Sequence, residues 1–152
     1  SWEHVMDERW ETEGEVLSWD WINKKMVRML AVKLTIEDAK VSSAISQHSG
    51  HVNKKHVLPN PVSGETRLIK CKLETIRPWT KEPVSYDGEF KVKIDDLYQS
   101  GRTVIRKEGN FVDGVYEFEF EAPAESSYLF KVKPKYKSYA IERLTTLVKV
   151  ND

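Results

Sequence analysis

Single apolar residues alternate with single charged residues along much of the second half of the chain. The clearest run is residues 116–121, and the same alternation recurs at residues 90–94 and 128–132. A period of two places one set of side chains on the buried face of a strand and the other set in water. The residues expected in a core on this ground include Tyr116, Phe118, Phe120, Phe130 and Val132.

Turn-forming residues divide the region from Gly64 to Val150 into six predicted strands. Asp-Gly or Ser-Gly pairs stand at residues 87–88, 100–101 and 113–114, and tight turns favour these residue types. Short alternating strands between such turns are typical of an antiparallel β-sandwich or barrel, so we predict an all-β fold. The predicted strands are residues 66–76, 89–95, 102–107, 115–121, 127–133 and 140–150.

The first half of the chain has a less regular pattern. Residues 17–21 alternate as a strand does. Residues 26–36 predict one long strand because β-branched residues dominate the second half, although the start also fits a helical period. Residues 8–15 fit either a helical turn or an extended arm. The polar residues 42–55 predict a long loop or a hairpin tip.

Three segments occur in an order that resembles a known family. The sequence Pro-Val-Ser-Gly-Glu-Thr at 61–66 leads into a strand, Lys-Glu-Pro-Val-Ser at 81–85 precedes another, and Asp-Gly-Val-Tyr-Glu-Phe at 113–118 opens a third. Over residues 59–150 the chain resembles the immunoglobulin-like β-sandwiches of prokaryotic cell-surface and secreted proteins, including macroglobulin-type domains. The resemblance implies an antiparallel immunoglobulin-like β-sandwich with a role in spacing, adhesion or assembly, and it transfers no functional residue.

Length and charge narrow the classes of function. The chain has 152 residues, which fits a Trp-rich N-terminal extension (1–25) followed by one β-sandwich domain (26–152). Basic and acidic residues balance at 24 each, which argues against a nucleic-acid partner but leaves a local basic patch open. No apolar stretch is long enough to predict a membrane span. The chain begins with Ser1 rather than Met, as it would after removal of an export signal, so an extracellular or cell-surface location is expected.

Tryptophans concentrate near the N-terminus. Trp2, Trp10, Trp19 and Trp21 are the candidate interaction residues, because large apolar rings gain free energy when another surface covers them. They also resemble the aromatic platforms on which carbohydrate-binding modules stack sugar rings, so a glycan partner is an alternative. Core packing is the alternative for Trp19 and Trp21.

Three histidines lie close together in the polar segment. Imidazole is a common metal ligand, so His48, His51 and His56 are weak metal candidates, but their spacing matches no standard zinc site. We therefore predict no metal and no other cofactor. Cys71 is the only cysteine, and it alternates with Ile69, so it is interpreted as a small core residue rather than a nucleophile.

No arrangement of residues indicates catalysis, and we predict no enzymatic activity and no catalytic residue. The sequence has no Gly-x-Ser-x-Gly elbow, phosphate loop or dinucleotide fingerprint. Glu117, Glu119 and Glu121 share one strand face, where cross-strand ion pairs with Lys131 and Lys133 are expected.

These observations favour a non-enzymatic structural or adhesion module of the cell surface. Its expected partners are other protein subunits, including copies of itself in a filament, pilus or surface layer. The alternatives are a carbohydrate-binding module and an accessory β-sandwich domain of a larger secreted enzyme.

Overall fold

A computed structural model describes residues 9–12, 15–20, 24–43, 54–78, 80–98, 102–134 and 144–152, and in these residues it contains β-strands and no helix. The strands are β1 (Arg9–Thr12), β2 (Glu15–Asp20), β3 (Lys25–Met29), β4 (Ala31–Ile36), β5 (Lys40–Ser43), β6 (Lys54–Leu58), β7 (Thr66–Ile76), β8 (Gly88–Asp96), β9 (Arg102–Phe111), β10 (Val115–Pro123), β11 (Ser126–Pro134) and β12 (Leu144–Val150).

The strands form three sheets. β1, β2 and β3 make a small antiparallel meander near the N-terminus. A three-stranded sheet has the order β10-β7-β4, and a six-stranded sheet has the order β5-β6-β12-β11-β8-β9. These are called the small sheet and the large sheet below. Every strand pair is antiparallel among the described residues except β6 with β12, which run parallel.

The small and large sheets share one apolar core. Phe118 and Phe120 of β10 in the small sheet meet Phe130 of β11 in the large sheet, with ring centroids 6.4 and 5.7 Å apart. Phe90 of β8 reaches Tyr116 of β10 in the same way, at 4.8 Å. An all-β chain with two sheets around a common core is consistent with a β-sandwich, and the immunoglobulin-like relationship stays a prediction.

The alternation located the strands and their faces correctly. Strand β7 matches its predicted limits, and the described residues of the other five predicted strands fall in β8 to β12. Phe118, Phe130 and Val132 are buried as predicted, while Tyr116 and Phe120 are half-buried and pack against the core. Three glutamates of β10 are exposed: Glu117, Glu119 and Glu121.

The predicted long strand at residues 26–36 is wrong, because the chain forms two strands there. β3 pairs in the meander and β4 in the small sheet, and Leu30 separates them. Met29 and Leu30 are both buried, which one regular strand does not allow for consecutive residues that face one shared core. The extended alternative for residues 8–15 is confirmed over the described part, because β1 lies there.

The polar segment at residues 42–55 is shorter than predicted. Its first two residues belong to β5 and residues 54–55 belong to β6, and these two strands pair antiparallel. That pairing supports the hairpin alternative, while residues 44–53 lie outside the described part of the chain.

The predicted ion pairs between the β10 glutamates and Lys131 or Lys133 are wrong. β10 and β11 are consecutive in sequence, but the chain crosses from the small sheet to the large sheet between them. Glu117 and Glu119 instead lie opposite Lys72 and Lys70 of β7. A tight connection does not oblige two strands to share a sheet, so the alternation alone could not identify the neighbour.

The predicted Asp113-Gly114 turn is confirmed and is fixed by its surroundings. Both residues have positive φ, 52° and 77°, as a two-residue type I′ hairpin turn requires. The Gly114 amide donates to the Tyr86 carbonyl at 2.8 Å, and its own carbonyl accepts from the Thr75 amide at 2.9 Å. A Cβ atom on Gly114 would lie 2.3 Å from the Val84 carbonyl oxygen, so glycine alone fits this position.

Candidate functional site

The candidate interaction residues from the sequence are only partly described. Trp10 lies in β1 opposite Leu17, and Trp19 lies in β2 opposite Met26. Trp2 and Trp21 lie outside the described residues. A role for these tryptophans in contacts therefore stays a prediction.

The weak metal candidates are not a loop cluster of three. His56 lies in β6 with its side chain buried on the inner face, whereas His48 and His51 lie outside the described residues. In the described parts of the chain, no three His, Cys, Asp or Glu side chains come together as metal ligands would.

Opposite charges are matched across the outer face of the small sheet. Lys72 stands opposite Glu117 in register, and Lys70 stands opposite Glu119. The Lys70 ammonium also lies 3.7 Å from a carboxylate oxygen of Glu37. Directly opposed residues of unlike charge stabilise a sheet by about 0.2–1 kcal/mol for each pair.

The outer face of the large sheet shows the reverse arrangement. Lys131 of β11 lies opposite Lys93 of β8, and Lys93 lies opposite Arg106 of β9. In the next row Lys133 lies opposite Lys91. Like charges in directly opposed positions destabilise a sheet. These five residues are called the basic face below.

Two carboxylates neutralise the basic face only in part. Asp95 lies 3.7 Å from the Lys93 ammonium and 3.4 Å from that of Lys131, and it also accepts a hydrogen bond of 2.8 Å from the Thr103 hydroxyl. Glu108 lies 3.5 Å from Lys91. Among the described residues, the five cations of the basic face thus stand beside three carboxylates, namely Asp95 and Glu108 in these ion pairs and Glu89 near the start of β8, so the face keeps an excess of positive charge that the balanced composition of the chain does not reveal.

The basic face ends at an unpaired strand edge. β9 has ten residues and pairs with β8 alone within the described part of the chain. Its outward side chains are exposed, and Val104 is 41% exposed. The inward Lys107 is half-buried, with its ammonium 5.7 Å from the centroid of the Phe118 ring. An edge of this length offers main-chain donors and acceptors to another extended segment.

A cavity of about 250 Å³ lies between β4 of the small sheet and the β6–β12 pair of the large sheet. His56 is 1% exposed and lines this cavity. The Thr146 hydroxyl donates its single proton to the Lys54 carbonyl at 3.0 Å, so the His56 Nδ1–H donates to the Thr146 oxygen at 3.1 Å. The other ring nitrogen, Nε2, is buried and has no hydrogen-bond partner among the described residues.

Burial dominates the protonation of His56 and of Cys71. Desolvation lowers the pKa of His56 below 6.5, and it outweighs the nearby carbonyls of Leu147 and Leu34, which favour the charged ring. Desolvation raises the pKa of Cys71 to about 12, so this thiol stays protonated and unreactive in the core.

Sequence comparisons do not assign a family. No protein-family model matches the chain, and a search of curated proteins finds no significant relative. In the described residues, no helix is long and apolar enough to cross a membrane. The basic face and the His56 cavity are therefore the two candidate sites in the described part of the chain.

Proposed function

We propose that this protein is a non-enzymatic module that binds other proteins, and that it takes an acidic, extended segment of a partner along the β9 edge and the basic face. The observation that carries the proposal is the row of directly opposed cations Lys131, Lys93 and Arg106. Such a row costs stability in the free protein, and acidic side chains of a partner would relieve that cost.

The unpaired edge favours a peptide segment over other anionic partners. A partner strand next to β9 would satisfy main-chain groups, and its alternate side chains would point over the outer face of the large sheet. Acidic residues at every second position would then lie beside Arg106 and within reach of Lys93. Main-chain pairing would supply affinity, and the cations would select the partner.

The inward Lys107 limits which strands can pair with this edge. A charged side chain on the inner face of an edge strand is a common protection against indiscriminate sheet extension. Lys107 keeps its ammonium over the Phe118 ring, so a second strand that brought apolar residues to that face would meet a positive charge. The edge is therefore selective rather than generally adhesive.

Binding of an acidic peptide tests the proposal. The probe is a fluorescein-labelled peptide of about ten alternating Glu and Thr residues, which brings no large apolar side chain to Lys107, and its match is the Lys/Thr peptide of equal length. We expect the Glu peptide alone to bind in fluorescence anisotropy, and we expect its affinity to fall as salt screens the exposed charges. Amide hydrogen exchange should slow along β9 when the peptide binds.

Variants that remove charge distinguish binding at the basic face from attraction to the positive charges of the protein in general. The double variant Lys93→Gln/Arg106→Gln should bind the Glu peptide with an affinity about three- to tenfold lower, as expected for the loss of two exposed ion pairs. The control is Lys70→Gln/Lys72→Gln on the small sheet, which removes the same formal charge. Equal losses in the two variants, or unchanged exchange in β9, would overturn the proposal.

The carbohydrate alternative has its own readout. The tryptophans near the N-terminus are the residues that suggest a glycan partner. The structure describes the backbone of Trp10 and Trp19 among them. Binding of a sulfated oligosaccharide to the basic face without binding of the Glu peptide would favour a glycan partner and contradict the proposed protein partner. The extracellular location stays a prediction, which the precursor sequence tests through an export signal.

A further inference from the structure

We propose that the acidic segment which binds the β9 edge and the basic face is the N-terminal segment of a second copy of this chain. Residues 1–15 are called the acidic arm below, and residues 16–152 are called the body. The proposal rests on the proposed function, because it names the partner for the same site. Each copy would then both donate an acidic strand and accept one.

Opposite charges are separated along the sequence. The acidic arm has six acidic residues and one basic residue, and the body has the other 18 acidic and 23 basic residues. A chain without net charge therefore consists of an arm with a formal charge of −5 and a body with a formal charge of +5. Oppositely charged surfaces steer two molecules together and fix which parts of them meet.

The acidic residues of the arm are spaced for one face of a strand. Glu3, Asp7 and Glu11 all stand at odd positions, so they would share a face in an extended segment, with Arg9 as the one cation among them. The end of this run is extended in the structure, because β1 lies there. A strand with acidic residues on one face would bring them beside Arg106 when it pairs with β9.

Both strands keep an unpaired edge within the described residues. β1 pairs with β2 alone at one side of the meander, and β9 pairs with β8 alone at one side of the large sheet. Pairing between these two edges would join the meander of one copy to the large sheet of the next. Main-chain donors and acceptors of both strands would be satisfied without any loss of the pairs that exist in each copy.

The alternate residues of the arm suit the inward Lys107. A strand that places Glu11 outward turns Trp10 and Thr12 towards the inner face. Thr12 brings no large apolar side chain to that face. A Trp ring attracts an ammonium through its π face, which an aliphatic side chain does not, so Trp10 can lie beside Lys107 as Phe118 does in the free protein.

The position of the meander favours a second copy over the same molecule. β3 leads through Leu30 into β4, and β4 is the edge of the small sheet opposite β10. β9 faces β10, because Lys107 of β9 reaches the Phe118 ring of β10. The meander therefore joins the small sheet at the side remote from β9. Donor and acceptor are different surfaces, so one copy can give its arm to one neighbour and receive the arm of another.

Sedimentation velocity of the intact chain tests self-association. At an ionic strength of about 0.02 M we expect the weight-average sedimentation coefficient to rise as the protein concentration is raised to about 1 mM. In about 0.5 M salt it should return to the value of the monomer, because exposed charges are then screened. Amide hydrogen exchange in β9 should slow as the protein concentration rises at low salt.

Two variants with complementary losses show whether the contact joins two copies. The arm variant Glu3→Gln/Asp7→Asn/Glu11→Gln should self-associate at least about fivefold more weakly, and the face variant Lys93→Gln/Arg106→Gln about three- to tenfold more weakly. An equimolar mixture should associate more than either variant alone. In the mixture, the face variant supplies an intact arm and the arm variant supplies an intact basic face.

The matched control removes three carboxylates from the outer face of the small sheet. Glu117→Gln/Glu119→Gln/Glu121→Gln changes the net charge as the arm variant does, and its self-association should stay within about twofold of that of the unmodified chain. Equal losses in this control and the arm variant, or a mixture that associates no more than its components, would overturn the proposal.

Binding of the Glu peptide separates this proposal from the proposed function. A chain that binds the Glu peptide but stays monomeric at about 1 mM would retain the proposed function and overturn self-association. If the arm variant of such a monomer bound the Glu peptide more tightly than the unmodified chain, the arm would occupy the basic face of its own molecule, which also overturns the proposal. A chain that fails to bind the Glu peptide would overturn the proposed function and the role of the arm with it.

Discussion

Truncation of Phe130 should be among the costliest single changes to this core. The ring is 0% exposed at the centre of β11, and it touches Phe118 and Phe120 of the other sheet. It therefore joins the two sheets rather than filling space within one of them. Phe130→Ala removes the ring and leaves a cavity between layers that cannot easily close.

The magnitude follows from burial and from the ring contacts. Replacement of a fully buried Phe by Ala costs about 3–5 kcal/mol, which includes the cavity. Each aromatic pair contributes about 0.5–1.5 kcal/mol beyond its buried area, so the two lost pairs favour the upper part of that range. A domain of ordinary stability, about 5–15 kcal/mol, would still fold, so the loss can be measured.

Urea unfolding followed by tryptophan fluorescence measures the difference. The matched control is Leu129→Ala on the same strand, because Leu129 faces outward and is half-exposed. We expect the control to lose about 1 kcal/mol or less and the slope of the unfolding transition to stay unchanged in both variants. The reasoning would be refuted if Phe130→Ala lost no more free energy of unfolding than Leu129→Ala.

Two further predictions concern a turn and a titration. Gly114→Ala should lower the free energy of unfolding by about 2–4 kcal/mol, because the strain of a positive φ adds to a clash with the Val84 carbonyl. The control is Gly64→Ala, which should cost about 1 kcal/mol, because Gly64 has a φ of 84° but no atom within 4 Å of an added Cβ. Urea midpoints that fall equally for both would contradict the clash. The pKa of His56 is lowered in the folded protein, so below about pH 6.5 the unfolded chain binds more protons than the folded chain. The free energy of unfolding should therefore fall as the pH falls through this range, by at most about 1.4 kcal/mol per pH unit. Urea midpoints measured against pH should show a smaller loss in His56→Gln, and identical profiles would contradict the buried neutral ring.

The sequence predicted strands and faces well because burial repeats with the period of the backbone. β7 was located at both ends, and the buried and exposed sides of β10 were assigned correctly. The break at Leu30 was missed because apolar residues stand on both sides of it, so the local pattern gives no signal of a change of sheet. The structure shows the break in two ways: β3 and β4 pair in different sheets, and the consecutive residues Met29 and Leu30 are both buried.

The candidate sites could not be predicted to the same degree, because they depend on which strands become neighbours. The alternating lysines of β8 and β11 were visible in the sequence, but their opposition to each other is a matter of register. Because β10 and β11 are consecutive in the sequence, the lysines of β11 were instead predicted to form ion pairs with the glutamates of β10. His56 did leave a signal, because it alternates with Leu58 at the period of a strand, yet its polar neighbours suggested a loop.

The parallel pair of β6 and β12 has a mechanical consequence. Four residues of each strand lie in register, from Lys55 opposite Leu147 to Leu58 opposite Val150. Tension applied at Lys54 and Asp152 pulls the two strands in opposite directions along their own axes. All the hydrogen bonds between them are then loaded in shear at the same moment, and the Asn60–Asp152 and Leu58–Asn151 hydrogen bonds, 3.1 Å each, resist the same force. A hairpin pulled at its open end yields one rung after another, so this segment should withstand a stretching force at which such a hairpin would already have unzipped.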